Sequence, residues 1–321
     1  MARKVGLVAL AVVLTLVWQP PAPAAERLTL MLDWFPNPNH VPIYAALRQG
    51  YFAQEGLEVA IQVPVDPADP LKLAAARRVD VSINYQHTVT IARAQGLPVV
   101  SVGLLVDRLL GALIFLKDSG ITTTADLRGK RIGFGVPGWG EAVIKAIAAH
   151  GGVREGEFQT QYVGFNLVPA LLGGKVDAVT GLRNYEPIVL EIEGRAVGML
   201  PYEAHGIPDY YQLLFIAHPD TVKQRRGAIK GFVRGVARGI AYTIRSPRQA
   251  YQQFAETNPR GDTGLNRRAF AATLPYFARS QEQRVDRWAR LQDFMYGRKL
   301  IGVRTPPAAR FVNLLEGEVR P

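Results

Sequence analysis

The sequence predicts an α/β fold of two lobes, with mixed, mostly parallel sheets, flanking helices and a run of C-terminal helices packed on the first lobe. Extended and helical patterns alternate through the first two thirds of the chain, as parallel sheets with crossover helices require. A short joint occurs twice, as Arg78-Val79-Asp80-Val81 and as Lys175-Val176-Asp177-Ala178. From Thr221 onward the strand patterns stop and only helical periodicity remains.

The first lobe opens with an apolar run, Leu28 to Leu32, that delivers Asp33, Trp34 and Phe35 into a turn rich in Pro and Asn. A helix follows and closes at Gln49-Gly50; Asn39 is placed to cap it and Pro42 sits in its first turn. Such a loop offers free amides, a positive dipole end and flat apolar surface at one point, which suits a planar, hydrogen-bonding small molecule. Leu57, Val59, Ile61 and Val63 alternate with Glu58, Ala60 and Gln62 as a half-buried strand. A helix from Asp69 to about Arg77 and a strand from Val79 to Ile83 lead into Asn84-Tyr85-Gln86-His87. A further helix stops at Gly96 and Pro98, and Val99 to Val106 returns to the sheet.

The pattern then restarts. Lys130 to Gly135 reads as a strand, Val136 to Gly140 as a glycine-rich turn, and Glu141 to His150 as a helix closed by Gly151-Gly152. Gln159 to Val163 is a strand and Pro169 to Leu172 a short helix. Val176 to Val179 is a strand that opens into Arg183-Asn184-Tyr185-Glu186. Each repeated joint follows a short helix begun near a proline, Pro70 or Pro169, and precedes a polar aromatic loop, so two similar lobes would aim one loop each at a shared cleft. Lys223 to Thr243, Pro247 to Thr257, Leu265 to Phe277 and Val285 to Tyr296 read as the closing helices. The expected division is residues 26–110 with 202–321 for lobe one and 111–201 for lobe two.

Residues 1–25 carry Arg3 and Lys4, an apolar run from Val5 to Val17, and small residues including Ala22, Ala24 and Ala25. That is the plan of a secretory signal peptide, with cleavage expected after Ala24 or Ala25. The apolar run is too short to span a bilayer comfortably. Cleavage removes two basic residues and no acidic one, taking the net charge from +11 to +9. The chain has no cysteine, hence no lipid-attachment Cys and no disulfide framework. A soluble, monomeric periplasmic protein is expected. Its basic residues are scattered, densest at Lys223, Arg225, Arg226, Lys230, Arg234 and Arg238, and lack interleaved aromatics, so nucleic acid is not an expected partner.

Gly133-Phe134-Gly135-Val136-Pro137-Gly138 matches G-x-G-x-x-G, but Pro137 stiffens the turn and no carboxylate ends a following strand. The remaining physics is that Gly138, Trp139 and Gly140 place backbone amides at a helix N-terminus. None of the five histidines pairs at metal-binding spacing, so no metal is expected. His40 and His87 follow strands and either face the cleft or are satisfied by backbone. No nucleophile with its base can be assembled, so neither catalysis nor a cofactor is expected from these residues.

The combination of Asp33-Trp34 with Asn39-His40, Gly50-Tyr51-Phe52-Ala53-Gln54-Glu55-Gly56-Leu57, the Val79-Asp80 joint and Gly129-Lys130-Arg131-Ile132-Gly133 resembles the NMT1/THI5-like (SsuA/THI5-like) periplasmic solute-binding proteins. The resemblance spans roughly Leu28 to Ala217. It implies a type II-like periplasmic binding protein fold, service to an ABC permease driven by a cytoplasmic ATPase, and a heteroaromatic ligand such as a thiamine pyrimidine precursor. The group also holds a fungal enzyme that makes this pyrimidine from pyridoxal phosphate and its own histidine. In an ungapped register its cofactor lysine falls at Asn84, its donor histidine at Thr88, and its cysteine-rich segment near Gly206 to Tyr211. The lysine and cysteines are missing here and the histidine position lies one residue beyond His87, so that chemistry is not expected; the alternative function is an enzyme acting on a heteroaromatic substrate, such as a THI5-like pyrimidine synthase.

The expected cleft stacks the ligand ring between Trp34 and Tyr85, with Tyr185 or Trp139 closing from lobe two. Asn37, Asn39, His40 and Gln86, beside Asp33 and His87, read its polar edge. Gly138, Trp139 and Gly140, with Arg183 or Glu186, complete recognition on closure. An inward Arg183 would favour an anionic ligand and an inward Glu186 an aminopyrimidine, and the sequence leaves both open.

Overall fold

The computed structural model describes residues 24–306 and 309–316. The expected signal peptide therefore lies outside the described residues, apart from Ala24 and Ala25. Among the described residues ten strands form two five-stranded sheets. They are β1 (Glu26–Met31), β2 (Leu57–Gln62), β3 (Val81–Asn84), β4 (Val100–Val106), β5 (Gly111–Leu116), β6 (Arg131–Phe134), β7 (Gln159–Tyr162), β8 (Ala178–Leu182), β9 (Val197–Pro201) and β10 (Leu213–Ala217).

The first sheet has the order β2-β1-β3-β10-β4 and the second β7-β6-β8-β5-β9. In each, three parallel strands are followed by one antiparallel strand and an outer fifth. The antiparallel member is the strand by which the chain arrives from the other sheet: β5 after residues 107–110, β10 after residues 202–212. These two segments carry the chain between the sheets. β10 is apolar throughout, LLFIA, and fully buried between β3 and β4. A strand covered on both faces reads as a continuous apolar run without alternation.

The repeated joint has a physical purpose. Asp80 Oδ2 accepts from the Thr29 backbone N–H at 2.8 Å, tying the start of β3 to β1. Asp177 Oδ2 accepts from the Arg131 backbone N–H at 2.8 Å, tying the start of β8 to β6. Burial works against ionisation of Asp80, but the Thr29 donors and Arg225 hold its carboxyl below the usual range. Arg131 does the same for Asp177. The match extends through the loops that follow, because Asn84-Tyr85-Gln86 and Asn184-Tyr185-Glu186 both turn from a strand into a helix with the tyrosine as N-cap residue.

The closing helices do more than buttress the first lobe. The helix Arg226–Arg245 packs on Val41–Arg48. Gly235 and Gly239 permit the approach: a Cβ at Gly239 would stand 2.2 Å from the Pro42 carbonyl oxygen, and one at Gly235 2.6 Å from the Phe52 ring. Further on, the helix Val285–Gly297 sends Leu291 and Met295 into the apolar cluster of the second sheet with Ile147 and Tyr210. Arg268 also reaches Glu191 at 2.5 Å. The closing helices pack on the first lobe as expected, and these contacts extend them to the second sheet as well. The tail then returns to the first sheet through a bridge between Ser101 and Phe311. Among the described residues no helix is long and apolar enough to cross a membrane.

Candidate functional site

The cleft encloses about 760 Å3 of empty space, part of it open to solvent, outside the carboxyl ends of the parallel strands. β1 delivers Asp33 and Trp34, β3 delivers Tyr85 and His87, β6 delivers Trp139 and Gly140, and β8 delivers Tyr185 and Glu186. Asn37 and Asn39 complete the set of ten expected residues on its wall.

Asp33 is buried and doubly held. His40 Nδ1 accepts from the Asn37 backbone N–H at 3.2 Å, which puts the imidazole proton on Nε2; that nitrogen donates to Asp33 Oδ1 at 2.9 Å. The Tyr85 hydroxyl donates to Oδ2, also at 2.9 Å. Burial, first, and the neighbouring Asp33 push the Tyr85 phenol far up, so it stays a donor. His40 is fully buried and orients Asp33 instead of lining the cleft.

Other expected roles are also reassigned. Asn37, not Asn39, caps the turn after β1, accepting from the Asn39 N–H at 2.9 Å. Asn39 Oδ1 instead accepts from Asn184 Nδ2 at 2.9 Å, a bond between lobes, and Asn184 Nδ2 also reaches Thr273 Oγ1 at 2.7 Å. Gln86 spends its side chain on the Tyr211 N–H and the Arg287 carbonyl and does not line the cleft. Gly138 lies off the cleft, and the Gly140 N–H is taken by the Val136 carbonyl at 2.9 Å, so this turn does not present a row of free amides. Arg183 does not enter the cleft. Its guanidinium holds Glu203 at 2.5 Å and the Gly111 carbonyl at 3.0 Å, bracing both crossovers.

Glu186 does line the cleft. Its Oε2 accepts from the Leu182 N–H at 2.7 Å. Surrounded by protein except toward the cleft, the carboxyl is pushed up to about 7 by burial, with the Leu182 amide only partly offsetting this. Among the described residues no arginine or lysine lines the cleft.

The aromatic arrangement differs from the expected sandwich. His87 lies flat on Trp139, ring centroids 4.2 Å apart, and also stacks on Tyr85 at 5.1 Å. The imidazole thus fills the space between Tyr85 and Trp139, so Trp139 packs on His87. Trp34 meets Phe165 of the second lobe edge-on at 4.2 Å, and Phe35 packs on the same ring at 4.5 Å. The sequence reading missed Tyr202, Tyr210 and Gln212, which line the cleft from the second crossover, and Gly111 at the start of β5. A Cβ on Gly111 would stand 2.3 Å from the Tyr202 ring. The tyrosine-rich run Tyr202 to Gln212 lay in plain view, but its role depends on β10 being inserted between β3 and β4.

Paired sheets of matching topology, two crossovers and a cleft between them define the periplasmic binding protein fold. Solved structures agree. The alkanesulfonate-binding protein SsuA of Xanthomonas axonopodis, bound to MOPS, superposes with a TM-score of 0.71 at 16% identity, over 92% of this chain and 100% of that one. The Candida albicans CA3427 product, described as having the generic periplasmic binding protein fold, gives 0.70 at 17% identity, over 91% and 99%.

Within that class the chain belongs to the NMT1/THI5-like family, whose model matches residues 37–250. A Haemophilus influenzae relative named for thiamine biosynthesis is 34% identical over 88% of this chain and 90% of its own. A formylaminopyrimidine-binding protein of Halalkalibacterium halodurans is 34% identical over 71% and 69%. A Legionella pneumophila protein named 4-amino-5-hydroxymethyl-2-methylpyrimidine phosphate synthase is 32% identical over 79% and 81%. Asn84, at the end of β3, is not on the cleft wall; its Oδ1 accepts from the Tyr85 N–H at 2.9 Å.

Proposed function

We propose that this chain is the periplasmic solute-binding component of an ABC importer and that it captures an aminopyrimidine related to the thiamine precursors. The observation that carries this reading is Glu186, a carboxyl with its ordinary titration raised to about 7 in an aromatic cleft that no lysine or arginine among the described residues lines. Ionised, it accepts from an exocyclic amine; protonated, it donates to a ring nitrogen. An anionic ligand would find no counter-charge there. Trp34 and Tyr185 would supply aromatic surface from opposite lobes, such contacts contributing about 0.5–1.5 kcal/mol each beyond area burial. The formylaminopyrimidine-binding relative supports the same ligand class.

In this reading the leader at residues 1–25 exports the protein and is cleaved, residues 26–110 with 202–321 move against residues 111–201, and segments 107–110 and 202–212 act as hinges. The closed monomer then docks on its permease, whose ATPase works on the cytoplasmic side. The synthase-named relatives give the competing reading, catalysis on the pyrimidine.

Native mass spectrometry of protein purified from its own periplasm, with chemical identification of the released molecule, tests both. An intact aminopyrimidine, bound one to one and unchanged on incubation, supports transport. A covalent adduct or a converted molecule moves the protein to the enzymes, and recovery of only anionic ligands sinks the Glu186 reading.

A further inference from the structure

Gln212 ends the second crossover at the floor of the cleft and is nine-tenths and more buried, at 2% exposure. Its Oε1 accepts from the Leu110 backbone N–H at 2.9 Å, joining the second crossover to the first. Because that partner is an obligate donor, the amide orientation is fixed, and the NH2 group must face away from Leu110. Among the described residues the side chain makes the Leu110 bond and no other hydrogen bond, and Gln212 lines the cleft. A side chain that is otherwise buried, tied to the hinge on one side and offering an unused donor on the other, is suited to read an acceptor atom on whatever fills the cleft.

We propose that Gln212 is a specificity-determining residue that donates a hydrogen bond to a ring nitrogen of the ligand and fixes that ligand against both hinge segments. This rests on the aminopyrimidine reading of the cleft. Glu186 and Gln212 then divide the work, Glu186 taking the amine edge and Gln212 an acceptor nitrogen, so that a ring of the same shape without nitrogens is rejected.

The test is a binding cycle with the mature full-length protein and two probes, 4-amino-5-hydroxymethyl-2-methylpyrimidine and the benzene analogue bearing the same substituents. Gln212→Glu keeps the acceptor for Leu110 and replaces the donor, and is measured at pH 8.5 so that the new carboxyl is ionised. Gln212→Met removes both functions. Circular dichroism and thermal melts confirm that each variant folds. Wild type is expected to prefer the pyrimidine, and both variants to lose about tenfold in affinity for it while losing less than about threefold for the benzene analogue. Equal losses for both probes in Gln212→Met, with none in Gln212→Glu, would assign Gln212 to the hinge alone and overturn the proposal. Wild-type protein that binds neither probe would overturn the aminopyrimidine reading itself, and this inference with it.

Discussion

His87 and Trp139 face each other across the two lobes, imidazole on indole, 4.2 Å between ring centroids and 6° between planes. His87 lies in the first turn of the helix behind β3 and Trp139 begins the helix behind β6, so the stack joins an element of one sheet's lobe to an element of the other's. Burial pushes the His87 imidazole well below its ordinary titration, and the stacked ring is therefore neutral at pH 7.

Depression of a histidine gives a definite sign. The unfolded chain takes up the proton near pH 6.5 and the folded chain only at lower pH, so stability present above 6.5 is lost as the pH falls. His87→Phe keeps the stack without the titration and should flatten the decline in Tm between pH 7 and 5. A decline as steep as wild type would mean that another group governs it.

Glu186 carries the opposite sign. Its folded titration near 7 lies above the unfolded value of 4.5, so its contribution is fully present below 4.5 and is lost as the pH rises through 7. Glu186→Gln should melt higher than wild type at pH 8 and close to it at pH 4.5, while binding an aminopyrimidine more weakly. Identical melting curves at pH 8 would show that the carboxyl is better solvated than its surroundings indicate.

Asn184 joins Asn39 and Thr273 in a buried bridge between the second lobe, the first lobe and a closing helix. Asn184→Ala should cost about 1–3 kcal/mol in urea unfolding, because buried polar partners lose their bonds, and should speed ligand release. A variant with unchanged release rate would place the control of closure elsewhere.

Trp34 is part of the cleft wall and only half-buried, so its removal leaves the first core intact. Trp34→Ala should weaken ligand binding by more than tenfold with less than about 1 kcal/mol lost in stability. Calorimetry that returned wild-type affinity would place the ligand away from this wall.

The elements of both sheets that alternate with helices were legible because burial imposes apolar patterns on single segments: Leu57, Val59 and Ile61 face one way from a strand that starts where the pattern starts. β5, β9 and β10 were not foreseen. LLFIA at β10 has no alternation to read, and its antiparallel place between β3 and β4 depends on contacts with residues more than a hundred positions away. The loops of the cleft were found as polar aromatic turns, but a turn does not disclose which side chain looks inward. Arg183 and Glu186 stand three residues apart, and the choice between them was made by Glu203, which draws the guanidinium to the rim.

By itself the sequence determined that there are two α/β halves, which joint they share, and which four loops run into the space between them, since these follow from local periodicity and from residues that punctuate it. Only the tertiary structure decided that His87 fills the aromatic slot between Tyr85 and Trp139, that Asn39 latches to Asn184, and that Tyr202, Tyr210 and Gln212 floor the cleft. Those outcomes are competitions among distant groups for the same neighbours, and a competition of that kind is settled by distance and burial in the folded chain, which no single segment encodes.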